Sequence, residues 1–274
     1  LSNLKQLETL SMWQTQITKV NAVANLTRLQ RLLIYGNRLT DVRPLSNLKE
    51  LRQLNLSRNQ LMDINPLVGL TKLESLELDH NNFTNLTSLA GMKELRVLNL
   101  QNNQIVDLKP LAGLTKLKEL HLNNNKIVDL KPLTNMKELR SLYIDGNQIT
   151  DLSPLAELVS LRDLSIINSS QLHFPEVARL QAALPKTNIH HNATQTEIQF
   201  INKTNEPIVI RWVDFGGQLQ TYQDNLLPEK GYSQRTYIGH QWVLYDKAGK
   251  ELGRTLATGK ITAWEIYDTG IKAM

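Results

Sequence analysis

The stretch L-R-Q-L-N-L-S-R-N-Q-L-M-D-I-N-P-L-V-G-L-T-K, residues 51–72, decides the fold. Leu51, Leu54 and Leu56 set an L-x-x-L-x-L opening, Asn59 and Leu61 follow, and Ile64, Pro66, Leu67 and Leu70 complete the apolar set. The L-x-L portion alternates as a strand does, leucines inward. Pro66 suits the first residue of a short helical turn, because its ring fixes φ and it has no N–H to leave unpaired. One such unit cannot bury its apolar face alone and needs copies of itself on either side.

The copies are present. Leu7, Leu29, Leu51, Leu73, Leu95, Leu117, Leu139 and Leu161 fall at intervals of 22 without an insertion. Asn37, Asn59, Asn81, Asn103, Asn125 and Asn147 recur where each strand turns into its loop. A buried amide must find hydrogen-bond partners, and stacked asparagines can meet that demand on the backbone of their own and the adjacent coil. Pro44, Pro66, Pro110, Pro132 and Pro154 share one offset on the return leg, with Ser88 the interior departure. Leu1 and Leu4 match the last apolar positions of a preceding coil, so the expectation is of a chain that begins in mid-repeat, without its N-terminal cap. After Leu164 and Ile166 the pattern decays, with Ser169 in the asparagine position. The segment P-E-V-A-R-L-Q-A-A-L that begins at Pro175 then reads as a capping helix, with Val177, Leu180 and Leu184 on one face, and 186–191 as a closing strand or linker. The first domain is therefore expected over 1–192: a truncated first coil, eight repeat units and a helical cap.

This pattern resembles the leucine-rich repeats of the internalin and related 22-residue class. The resemblance implies a right-handed horseshoe solenoid with a parallel concave sheet and short helical turns. Side chains alternating with the inward leucines then line the concave face, and Trp13, Leu33 and Tyr35 form an apolar patch there of the kind that marks a macromolecular partner. His121, Tyr143 and Ile167 form a weaker second candidate. Trp13 has a competing reading as an interior residue covered by preceding coils.

From about residue 195 the period stops and aromatic residues concentrate. The runs I-Q-F-I, P-I-V-I-R-W-V, R-T-Y-I, Q-W-V-L-Y and I-T-A-W-E-I are short and β-rich, separated by Gly216-Gly217, Leu227-Pro228, Lys247-Ala248-Gly249 and Thr258-Gly259. They predict a small all-β sandwich of seven strands over 193–274. Thr236, His240 and Trp242 share parity, so one regular strand would put hydroxyl, imidazole and indole on one face. Trp212 and Tyr222, on nearby strands, could add two walls.

N-K-T-N-E-P-I-V-I-R-W-V-D-F-G-G at 202–217 and Y-I-G-H-Q-W-V-L-Y-D at 237–246 resemble the β domain of the von Hippel-Lindau tumour suppressor. That family recognises hydroxyproline in a peptide. By the resemblance, Trp212, Tyr222 and Trp242 would pack the pyrrolidine ring, while Thr236 and His240 would bond its hydroxyl. Thr236 stands where the family has serine, keeping the hydroxyl and adding a methyl. The family's second, helical domain, which recruits ubiquitin-ligase machinery, has no counterpart before Met274, so a degradation adaptor is not expected.

The rest of the sequence narrows the functional class. The formal net charge of +5 comes from lysines and arginines interleaved with acids, unlike the basic stripe of a nucleic-acid binder. There is no cysteine, and no apolar run approaches the ~20 residues that cross a bilayer. No H-E-x-x-H, G-x-S-x-G or phosphate-cradling glycine loop is present, so no catalytic residues, metal site or cofactor are expected. His190 and His191, adjacent on a probable strand, point to opposite faces and make a poor chelate. N-x-S/T triplets at Asn25, Asn85, Asn168, Asn192 and Asn202 carry no assigned role. The expected function is non-enzymatic binding: the β domain takes a hydroxyproline- or proline-containing peptide and the solenoid a macromolecular partner. Two alternatives stand beside it: a β domain that only caps the solenoid, or one that binds carbohydrate. The compartment is left open.

Overall fold

The computed structural model describes all residues except 1–3, 170–171, 173, 192–194, 214–217, 238–239 and 259–261. The expected domain boundary at 192/193 and the turns at Gly216-Gly217 and Gly259 lie outside the described residues. The chain divides into two compact units, Leu1–Gln171 with Ala183–His191, and Leu172–Ala182 with Asn192–Met274.

The first unit is a leucine-rich-repeat solenoid. Strands β1 (Thr9–Ser11), β2 (Arg31–Leu33), β3 (Gln53–Asn55), β4 (Ser75–Glu77), β5 (Val97–Asn99), β6 (Glu119–His121), β7 (Ser141–Tyr143), β8 (Asp163–Ser165) and β9 (Asn188–His190) form one parallel sheet in chain order. From β1 to β8 each strand sits in register with the next at a spacing of 22, as in Leu54↔Leu76↔Leu98, and β9 closes the sheet at a spacing of 25, Leu164↔Ile189. The return legs carry three-residue 3-10 turns, and the proline is the second residue of the turn, not the first, as in Asn65–Leu67. Thr87–Leu89 forms the same turn without proline. The inward leucines and isoleucines are buried from Leu26 to Ile166, each removal from water worth ~2 kcal/mol.

The asparagines do more than fill space. Asn125 Nδ2 donates to the carbonyls of Leu100 at 3.0 Å and Leu122 at 2.9 Å, and its Oδ1 accepts the Ile105 N–H at 3.0 Å. Asn59, Asn81 and Asn147 repeat this set. Asn103 does not: its Oδ1 is buried without a partner, because the matching N–H belongs to Phe83, where other coils carry Leu or Ile. The hydrogen bond beside the larger ring is also longer: the Gln104 N–H reaches the Phe83 carbonyl at 3.3 Å where Lys126 reaches Ile105 at 2.8 Å. Ser169 is too short to replace asparagine, and its Oγ also has no partner among the described residues.

A second period was not anticipated. Gln14, Gly36, Arg58, His80, Asn102, Asn124, Gly146 and Asn168 all have positive φ at one shared offset, and Gln16 adds a second in the first coil. This left-handed corner turns the strand into the loop, at a cost of ~1 kcal/mol for each residue that is not glycine. At Gly146 a side chain would also collide with Asn124 Oδ1.

In the second unit, α1 (Phe174–Ala183) buries Val177, Leu180 and nearby Leu184, as the helical spacing predicts. Most of this helix, expected to belong with the first domain as its cap, falls with the second unit. Eight strands, one more than expected, are present among the described residues: β10 (Gln195–Asn202), β11 (Ile208–Val213), β12 (Leu219–Leu226), β13 (Gly231–Tyr237), β14 (Gln241–Asp246), β15 (Glu251–Leu256), β16 (Thr262–Tyr267) and β17 (Gly270–Ala273). They form two four-stranded sheets, β13-β10-β16-β17 and β12-β11-β14-β15. Ile198, Phe200, Ile208, Ile210, Leu226, Trp242, Leu244 and Ile266 make the core. Asn202, fully buried, donates to the carbonyls of Glu206 and Leu226 and accepts from the Thr204 N–H and hydroxyl, closing the turn between β10 and β11. It is therefore no glycan acceptor in the folded chain. Among the described residues no helix is long and apolar enough to cross a membrane.

The asparagine row makes unequal predictions. Asn125→Ala leaves the buried Ile105 N–H unpaired, while the Leu100 and Leu122 carbonyls keep Asn103 and Asn147 as donors, and is expected to cost about 2 kcal/mol, whereas Asn103→Ala strands no N–H and costs about 1 kcal/mol less. Urea unfolding of the two variants compares them, and equal losses would refute the role given to Phe83.

Candidate functional site

Backbone pairing in the second unit brings the aromatic residues together. Trp212 on β11 lies directly opposite Trp242 on β14, and opposite residues in a sheet share a face. On β12 the register shifts: Ile210 pairs with Gln223 and Arg211 with Thr221, which leaves Tyr222 as the extra residue of a bulge. Bulges re-aim side chains, and this one sends Tyr222 to the same cluster. Its ring stands edge-on to Trp212 at 6.2 Å and 87°, and to Trp242 at 5.3 Å and 77°.

The polar pair arrives by a different route from the one expected. Thr236 and His240 do not share a strand with Trp242: β13 ends at Tyr237 and β14 begins at Gln241. Thr236 comes from the opposite sheet, paired with Thr196, while the His240 carbonyl accepts the Ala257 N–H at 2.9 Å. Thr236 Oγ1 nevertheless lies 2.8 Å from His240 Nδ1, in a shared hydrogen bond. The imidazole also stacks on Trp212 at 5.0 Å and 24°. All five residues named from the sequence thus lie in one cluster.

Burial grades across it. Trp242 is 1% exposed and packs on Phe200 in the core at 5.8 Å, Thr236 and His240 are buried, Trp212 is half-buried, and Tyr222 is 46% exposed. Trp242 is thus both a core residue and a wall, and its indole N–H has no acceptor among the described residues. Burial pushes the His240 imidazole down from 6.5 to about 4, so it is neutral at pH 7. A neutral imidazole keeps one N–H and one lone pair, which suits a neutral ligand hydroxyl.

On the open face of the solenoid, Trp13 and Tyr35 stack at 5.9 Å and 3°, with Trp13 51% exposed. Leu33, half-buried, lies in register between Ser11 and Asn55. His121 and Tyr143 stack at 4.5 Å and 14°, and His121 Nε2 lies 2.7 Å from Glu119 Oε1. Ile167 is exposed. Between the two stacks runs a polar network that sequence reasoning missed. Asp79 accepts from the Ser57 hydroxyl and from Asn99 Nδ2 at 3.2 Å, and lies 2.8 Å from His80 Nδ1. Its signal was the 22-residue offset shared by Ser57 and Asp79. Burial raises the Glu77 carboxyl, partly offset by the Asn99 hydrogen bond and reinforced by Asp79. His190 Nε2 lies 3.0 Å from Asn188 Nδ2.

Known proteins share both parts. The leucine-rich-repeat family model, in two-copy units, matches residues 27–68, 49–91 and 93–135, and the VHL beta domain model matches 189–255. Internalin C2 of Listeria monocytogenes is 35% identical with a TM-score of 0.66, over 69% of this chain and 82% of its own. Internalin F of the same organism is 34% identical with a TM-score of 0.58, over 70% of this chain and 62% of its own. A leucine-rich-repeat protein of Leptospira interrogans is 27% identical with a TM-score of 0.58, over 68% of this chain and 55% of its own. The chain thus spans less than two thirds of the latter two. No curated protein matches it.

The depressed His240 pKa has a consequence for stability. Between about pH 6.5 and about pH 4 the unfolded chain binds a proton at this imidazole that the folded chain refuses. The second unit is therefore expected to be fully stable above pH 6.5 and to weaken as pH falls toward 4, with His240→Gln flattening the slope. Thermal unfolding across this range tests it; a wild type whose stability is flat, or identical in slope to the variant, would contradict the neutral buried imidazole.

Proposed function

Because the chain belongs to the internalin-like leucine-rich repeat proteins and carries a von Hippel-Lindau β domain, we propose that it is a non-enzymatic, two-module binder whose β domain takes a hydroxyproline-containing peptide. Modules of both kinds typically bind proteins and peptides rather than catalyse, and the coarser protein-binding role rests on that. The hydroxyproline reading is carried by one observation: Trp212, Tyr222, Thr236, His240 and Trp242 meet in a single cluster that grades from a buried polar pair to an exposed ring.

In this reading the pyrrolidine ring packs against Trp212 and Tyr222, with Trp242 behind them. The ring hydroxyl, at once donor and acceptor, inserts beside the Thr236–His240 pair. Proline would desolvate that pair and return nothing. The Thr236 methyl narrows the space beside the hydroxyl, so Thr236→Ser is the substitution that tests fit without removing the bond. On the solenoid, Trp13, Leu33 and Tyr35, with His121 and Tyr143, would meet a macromolecular partner, since exposed stacked aromatics supply large contact area at low entropic cost.

Two neutral hydrogen bonds of ~1 kcal/mol each favour hydroxyproline over proline by about 30-fold. Calorimetry with matched peptides is expected to show that preference in the wild type and to reduce it to about fivefold in His240→Ala, with folding checked by circular dichroism. Equal binding of both peptides by the wild type would defeat the reading, and capture of glycans in place of either peptide would move the site to carbohydrate.

A further inference from the structure

Charges on the solenoid follow a rule that one row breaks. Across coils, Arg52 pairs with Glu74 at 2.6 Å, Lys72 with Glu50 at 2.7 Å, Lys116 with Glu94 at 2.8 Å and Lys137 with Glu157 at 2.9 Å. Partners stand 20 or 22 residues apart, so each coil neutralises its neighbour. Arg52 and Glu74 occupy the position just before the strand. From the next coil onward that same position holds Arg96, Lys118, Arg140 and Arg162. Four successive cations cannot neutralise one another, and among the described residues none of the four is in an ion pair.

The backbone fixes this row tightly. The Lys118 N–H donates to the Arg96 carbonyl, Arg140 to Lys118 and Arg162 to Arg140, each at 2.8 Å. The strands that follow are in parallel register, Val97↔Glu119↔Ser141↔Asp163. Adjacent cations are therefore spaced at ~4.8 Å along the stack, and the row spans ~14 Å. Arg96, Arg140 and Arg162 are exposed and Lys118 half-buried. The nearby carboxylate Glu119 is already engaged by His121.

We propose that the row Arg96–Lys118–Arg140–Arg162 is a docking strip for an acidic, extended segment of a protein partner. Four or five extended residues cover ~14–16 Å, so a short run of Asp or Glu laid across the strands meets all four cations. The next positions on the same strands favour a protein over a nucleic acid or sulfated glycan. Glu119 and Asp163 border the row and carry acceptors for the backbone N–H groups of a peptide, donors that a phosphate backbone lacks, and the His121–Tyr143 stack beyond them offers an aromatic surface to side chains. Being at the rim, the strip acts mainly on encounter rate and carries a salt dependence. It needs neither the β-domain cluster nor the Trp13 patch, and none of its four residues belongs to them.

Fluorescence anisotropy of the full chain with labelled octaglutamate tests this at about 50 mM salt, where surface charges are weakly screened. Each exposed pair changes affinity a few-fold, so the combined Arg96→Gln, Lys118→Gln, Arg140→Gln, Arg162→Gln variant is expected to bind at least about tenfold more weakly. A control with Lys19, Lys109, Lys126 and Lys131 changed to Gln removes the same charge from the return legs and is expected to stay within about twofold of wild type. Equal losses in the two variants, or no saturable binding by the wild type, would overturn the strip. Tighter binding of oligothymidylate or a sulfated octasaccharide than of octaglutamate would overturn the acidic-peptide assignment.

Discussion

A buried asparagine amide that saturates the backbone around it is the constraint on which both units depend. In the solenoid it recurs in six successive coils, from Asn37 to Asn147, tying a carbonyl of the preceding coil and one of its own to a single side chain. In the β domain Asn202 does the same for one turn. Such an amide resists slip, because a shifted coil would strand a buried N–H and the amide itself at a few kcal/mol in total. Rigid register follows, and with it the rows of side chains, aromatic or basic, that any partner of the open face would meet at a fixed spacing.

The β domain solves a different problem with related means. Its cluster needs residues from two sheets to point at one place, and three local devices serve that: the cross-strand Trp212–Trp242 pair, the bulge at Tyr222, and the hydrogen bond that joins His240 to Thr236 of the other sheet. Each ring is held by another ring or by the core. That preorganisation is what a small neutral ligand requires, since little of its binding energy is then spent on ordering side chains.

The sequence announced the solenoid through a period that no competing fold produces, and strand register, leucine burial and the asparagine role were all legible from it. The left-handed corner was not, because Gly36, Gly146, Asn102, Asn124 and Asn168 mark it only in part, while Gln14, Arg58 and His80 adopt it under tertiary constraint. The Phe83 defect was equally silent, since phenylalanine satisfies an apolar pattern as well as leucine does. In the β domain, β12, β15 and β17 carry no strong apolar run, so the strand number fell short by one. The five site residues could be named through the family resemblance, but parity along one strand gave the wrong reason for Thr236, His240 and Trp242 to meet. A bulge and a connection between strands leave no periodic trace.

The account's central claim is that those five side chains serve one ligand. Intermolecular nuclear Overhauser contacts between the hydroxyproline ring of a bound peptide and the isotope-labelled chain test it most directly. The account predicts contacts from the ring protons to Trp212 and Tyr222, with the resonances of Thr236 and His240 shifted. Contacts to residues outside this cluster, with those four unmoved, would contradict it.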